Sequence, residues 1–84
     1  MGFIENEYKI KNKNLIDSVR SNYLYGEKLI KLNEDYRYGL ISISEYRIKK
    51  IYYKMIIQEQ TKWECPLTKR ERRKIYDKAK RISQ

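Results

Sequence analysis

From Lys13 to about Tyr38 apolar side chains recur at helical intervals, and they fall on two faces. Leu15, Ile16, Val19, Tyr23 and Ile30 share one face. Tyr25, Leu29, Leu32 and Tyr36 follow i, i+4, i+7 and i+11 on a face rotated by roughly 100°. The change falls around Gly26, a residue that costs a helix interior about 1 kcal/mol against alanine and permits a kink or a close helix approach. The pattern predicts one bent helix or two short ones. Before it, residues 1–12 hold Phe3, Ile4, Tyr8 and Ile10 without a period, which reads as an irregular or short helical lead-in.

Gly39 supplies a left-handed stop, and Ser42 with Glu45 three residues later forms a capping box for a second helix over about residues 43–60. That helix carries Ile48, Ile51, Tyr52 and Met55 on one side and Tyr46, Tyr53 and Ile57 on the other. A helix apolar on two faces is sandwiched between neighbours, which places it centrally, with Tyr46 and Tyr53 facing Leu32 and Tyr36 across the hairpin. Residues 61–67, TKWECPL, make the next connection, because Pro66 disfavours helix at Cys65. Thr68 and Glu71 form a second capping box, opening a third helix over about residues 69–82 with a narrow apolar stripe of Ile75, Ala79 and Ile82 and Tyr76 at its border. The expected fold is all-α: a small three-helix domain, single over residues 1–84, built from a helical hairpin and a basic C-terminal helix. No internal repeat or flexible linker divides it.

Length and composition sharpen this picture. A chain of 84 residues buries only about 60–65% of its unfolded surface, so its larger side chains must find the core or a partner must share it. A homodimer is one way to meet that need. The apolar bulk is twelve isoleucines, six leucines and nine tyrosines, with one alanine and one valine. Tyrosines place a ring in the core and a hydroxyl at its edge. Codon bias in an AT-rich genome yields the same excess of Ile, Lys, Asn and Tyr, a composition that suits a phage or mobile-element product of a low-GC host. The single cysteine, Cys65, excludes an internal disulfide and reads as a small, partly buried apolar residue, and the absence of histidine removes the usual partner for zinc or an activated thiol. No apolar run approaches the roughly 18 residues that cross a bilayer, and the N-terminus lacks a secretory signal and a myristoylation site. The expectation is a soluble, cytoplasmic protein.

Charge is unevenly spread. Residues 1–40 carry seven basic and six acidic side chains, residues 41–66 five and three, and residues 67–84 eight and two. Two-thirds of the net +9 therefore lies in the last 18 residues, where a local excess raises the potential over one surface and draws in anions.

Residues 29–50, LIKLNEDYRYGLISISEYRIKK, resemble the short helical hairpin called SHOCT at Leu29, Leu32, Gly39, Ile41, Ser42, Glu45, Tyr46 and Lys50. The resemblance covers about a quarter of the chain and implies packing and oligomerisation, with no catalytic residue to transfer. A helix-turn-helix does not fit the same turn. Its alanine position would be Asp35 and its buried aliphatic position Glu45, and the connection to the basic helix is longer than that motif's three or four residues.

Opposite the apolar stripe of the third helix stand Lys69, Arg70, Arg73, Lys74, Lys80 and Arg81. Asp77 lies in the middle of this arc and has helical spacing to pair with Arg73, Lys74, Lys80 or Arg81, but one carboxylate cannot neutralise six cations. A solvated face is the bland alternative. Against it, eight cations on four turns repel one another by a few tenths of a kcal/mol per close pair unless phosphate opposes them. Lys49, Lys50 and Lys54 on the second helix are candidates to extend the patch, with Tyr53 interleaved as a stacking ring or simply as core. Trp63 reads as a plug over the end of the core.

Catalysis lacks its parts: no histidine, no clustered carboxylates, no Gly-rich phosphate loop, no nucleophile beside a base, no cofactor or metal motif. The expectation is a non-enzymatic accessory or regulatory factor that binds DNA or RNA through its C-terminal helix. The rival is a protein-binding modulator or inhibitor that docks on a larger nucleic-acid-processing enzyme such as a CRISPR effector. Binding to anionic membrane is a weaker third reading, because the apolar stripe of the third helix is thin.

Overall fold

The computed structural model of the protein describes the backbone of residues 2–84 and the side chains of residues 15–84. It consists of three α-helices: α1, Gly2–Arg37; α2, Ile43–Trp63; and α3, Lys69–Ser83. The backbone of the expected lead-in is thus part of α1, and Phe3, Ile4, Tyr8 and Ile10 lie outside the described side chains. At 1.5 Å per residue the 36-residue α1 spans about 54 Å, which accounts for the 57 Å long axis of the molecule. The helix runs through Gly26 without interruption, so one helix rather than two fills the first half.

Each turn is built from local chemistry. At the end of α1, Gly39 adopts φ 72°, Leu40 N–H donates to the Asp35 carbonyl at 2.8 Å and Gly39 N–H to the Tyr36 carbonyl at 3.1 Å. These are the two bonds of a Schellman motif, which satisfies carbonyls that the helix leaves without partners. Ser42 caps α2 by accepting from Glu45 N–H at 3.2 Å. The reciprocal half of that box is replaced: the Glu45 carboxylate turns to Lys49 Nζ at 2.8 Å instead. α2 runs three residues further than the sequence predicts and ends at Glu64, which takes the left-handed conformation at φ 52° immediately before Cys65 and Pro66.

Thr68 and Glu71 form the complete box at the start of α3. Thr68 Oγ1 accepts from Glu71 N–H at 3.2 Å, and Glu71 Oε1 accepts from Thr68 N–H at 3.2 Å. Thr68→Ala is expected to cost about 1 kcal/mol, read as a lower midpoint in urea denaturation with an unchanged slope.

α2 packs against both α1 and α3, whereas α1 and α3 do not pack on one another. Its central position follows from its two apolar faces. Tyr46 stacks on Tyr36 of α1 with ring centroids 4.3 Å apart. Tyr53 meets Tyr25 at 5.7 Å and Tyr52 at 5.4 Å, and Tyr52 meets Tyr76 of α3 edge-on at 5.2 Å. A line of four rings thus crosses from α1 through α2 to α3. Burial pushes the Tyr52 hydroxyl above its ordinary pKa, with the nearby Tyr25 hydroxyl acting in the same direction and Arg72 against it.

The core holds Leu32, Ile56, Leu67 and Ala79, together with two polar residues, Ser18 and Gln60. Gln60 is wholly buried and joins all three parts of the fold. Its Oε1 accepts from Ser21 Oγ at 3.1 Å and from Leu67 N–H at 3.0 Å, its Nε2 donates to Asn22 Oδ1 at 2.7 Å, and its backbone carbonyl accepts from Ser18 Oγ at 2.8 Å. An amide N–H can only donate, so Leu67 fixes which end of the Gln60 amide faces it. The network is closed: every buried side-chain nitrogen and oxygen among the described residues has a partner.

Three sequence expectations are corrected here. Trp63 is 65% exposed and donates from Nε1 to Glu59 at 3.0 Å, because the lengthened α2 carries it beyond the end of the core. Cys65 is exposed, on a connection that has already left the helix. Ile82 is also exposed: it lies in the last turn of α3, at the edge of the face of Arg72, Ile75, Tyr76, Ala79 and Ser83 that meets α2.

Candidate nucleic-acid interface

α3 owes its orientation to Ala79, whose small side chain is wholly buried and lets the helix seat closely on α2. Two turns earlier Arg72 points along the packed face, where its Nη1 donates to the Leu67 carbonyl at 3.2 Å. These contacts fix the rotation of α3. On the remaining arc, Lys69, Arg70, Arg73, Lys74, Lys80 and Arg81 are all exposed. Successive members lie about 20–60° apart round the helix at 100° per residue, so they form one outward ridge along about 18 Å of helix.

The electrostatics of this ridge are uncompensated. Among the described residues the ion pair is Lys49–Glu45 on α2, and none engages α3. Asp77 is exposed within the ridge and takes no cation, so the self-neutralised face that its spacing permits is not formed. Lys80 lies over its own helix's Tyr76 ring at 5.1 Å, which steadies the ammonium without removing its charge.

Lys78 belongs with the ridge and was missed in the sequence. It is exposed and borders a shallow groove lined by Met55, Glu59, Leu67, Glu71, Lys74 and Ile75. Its spacing of four from Lys74 was the available signal.

Two of the three candidate lysines of α2 are engaged within the α1–α2 hairpin. Lys50 is half-buried, with Nζ 5.3 Å from the Tyr46 ring, in a groove lined by Asn33, Glu34, Tyr36 and Arg37 of α1. Lys54 is exposed one turn further along. Lys49 is held by Glu45, which raises its pKa chiefly through that hydrogen bond, against partial desolvation. Tyr53 is half-buried between Tyr25 and Tyr52 and lends no free face to a stacked base.

Among the described residues no cluster of three or more His, Cys, Asp or Glu is placed to hold a metal ion. No described helix is long and apolar enough to cross a membrane. Comparison with protein families, with curated proteins and with solved structures finds no match to this chain.

Proposed function

We propose that the protein binds nucleic acid through α3, as a small accessory or regulatory factor, with Lys69, Arg70, Arg73, Lys74, Lys80 and Arg81 contacting backbone phosphates. The observation that carries this reading is the ridge itself: six exposed cations on one helix, with no carboxylate among the described residues paired to any of them. Like charges held this close raise the free energy of the isolated chain, and a polyanion relieves that cost while releasing its own condensed counterions. Phosphate contacts position a protein without reading sequence. The arginines are the residues equipped to engage guanine bidentately.

Fluorescence anisotropy with random-sequence duplex and single-stranded oligonucleotides tests the proposal. The logarithm of affinity is expected to fall linearly with the logarithm of salt, with a slope of about −4 to −5 on duplex, as four to six neutralised phosphates require. A flat salt dependence, or no binding at low salt, overturns it. Recovery of a stoichiometric protein complex that survives nuclease treatment would favour the rival reading, in which the ridge occupies the acidic patch of a larger nucleic-acid-processing enzyme.

A further inference from the structure

Among the described residues the first apolar stripe of α1 has no cover. Leu15, Ile16, Val19, Tyr23 and Ile30 are exposed, from 41% at Leu15 to 69% at Tyr23. All but Leu15, at the edge of the stripe, lie more than 90° round the helix from the line of Ser18, Tyr25, Leu32 and Tyr36 that meets α2. Within the stripe Ile16, Val19, Tyr23, Gly26 and Ile30 alternate spacings of three and four, the seam of a coiled coil. A Cβ built at Gly26 would meet nothing within 4 Å, so no packing inside this chain asks for a glycine there.

We propose that this face binds a second copy of the chain, α1 against α1, antiparallel. The choice of occupant and direction rests on the residues of the seam and the charges beside it. With the twofold axis midway between Tyr23 and Gly26, each Tyr23 ring lies over the Gly26 of the partner subunit, and each Val19 opposes Ile30 of the partner subunit. Bulk thus meets the one position that lacks a side chain. Arg20 and Glu27 occupy the same flanking position in successive heptads, the one that faces its own counterpart only when two helices run antiparallel. Arg20 then meets the Glu27 of the partner subunit twice by symmetry, and neither residue is ion-paired within the described chain. A parallel, in-register pair would set glycine against glycine and ring against ring, and would leave Arg20 and Glu27 facing Leu15 and Asn22. The interface leaves α3 free, because α1 and α3 do not pack together.

Sedimentation velocity at physiological salt tests this. At roughly 100 µM the chain is expected to sediment at twice its 10.4 kDa mass and to dissociate on dilution. Gly26→Lys improves intrinsic helix propensity and is open to solvent in a monomer, so it leaves helicity intact but weakens the dimer at least 10-fold by setting an ammonium under Tyr23 of the partner subunit. Arg20→Glu weakens it as well, and Arg20→Glu combined with Glu27→Arg restores it. A wild-type chain that stays monomeric, a dimer indifferent to Gly26→Lys, or a double charge swap that fails to restore a helical chain's association each overturns the proposal. Reversal of the α3 cations leaves the dimer unchanged, which separates this outcome from the nucleic-acid reading.

Discussion

Gln60→Leu is expected to destabilise the fold by about 2–4 kcal/mol, out of a total that for a chain of this size is of order 4–13 kcal/mol. The side chains are similar in volume, so the loss comes from polar groups left behind rather than from a cavity. Leu67 N–H, on a buried residue, loses its acceptor at 3.0 Å and pays the desolvation of an unpartnered amide. Ser21 and Asn22 lose a partner each, with less consequence, because both are half-buried and water reaches them. Leu67 anchors the connection that delivers α3, so α3 is expected to detach first. Hydrogen exchange would show α3 amides losing protection ahead of those of α1 and α2, and urea denaturation would show the lower midpoint. Gln60→Glu separates hydrogen bonding from shape. Its carboxylate accepts from Leu67 but cannot donate to Asn22, and burial raises its pKa; the folded state therefore favours the protonated form. Stability of this variant is expected to recover as pH falls through that raised pKa, whereas Gln60→Leu shows no such recovery. A Gln60→Leu protein as stable as the parent would mean that the amide network contributes nothing net.

Changing Arg70, Arg73 and Lys74 together to Glu is expected to reduce oligonucleotide affinity at least ~100-fold at low salt, since three phosphate contacts become three repulsions. The formal net charge falls from +9 to +3, and the loss is concentrated on the ridge. Helix melting does not explain such a loss. The three side chains are exposed and unpaired, and a carboxylate at Arg70, in the first turn, favours the positive end of the α3 dipole. Circular dichroism is therefore expected to stay unchanged. Reversing Lys50 and Lys54 provides the contrast: Lys50 sits in the α1–α2 groove over Tyr46, so this pair is expected to change affinity by less than about 5-fold. Equal losses from the two sets would mean that net charge, rather than the ridge, governs binding.

Much of the architecture was legible along the chain. Three helices, their termini at Gly39, Ser42 and Thr68, the central place of α2 and the Tyr36–Tyr46 contact all follow from spacings of three to seven residues, and the structure has each of them. The concentration of cations on α3 was equally plain, because charge placement on a helix needs only the 3.6-residue period. Other features had no local signature. Nothing local marks Gln60, a polar residue near a helix end, because its partners Ser18, Ser21 and Asn22 lie some 40 positions away in the sequence. Of the two apolar stripes on α1 the sequence sets Leu32 and Tyr36 against α2 but assigns the other no place, and the structure leaves Leu15, Ile16, Val19, Tyr23 and Ile30 bare. Trp63 and Ile82 are hydrophobic enough for a core but stand where no neighbour reaches.

The division has a physical cause. A cap or a Schellman turn closes hydrogen bonds within one helical turn, so the residues that make it are adjacent in the sequence and sufficient by themselves. Which apolar face is buried depends on the rotation and crossing of a second helix. That rotation is set by the whole contact surface at once, by the depth to which Ala79 and Ile56 seat and the acceptors that Gln60 can find. The chain by itself determined the stop at Gly39, the caps at Ser42 and Thr68 and where its charge lies; only the packing of α2 between α1 and α3 decided which side chains it hides.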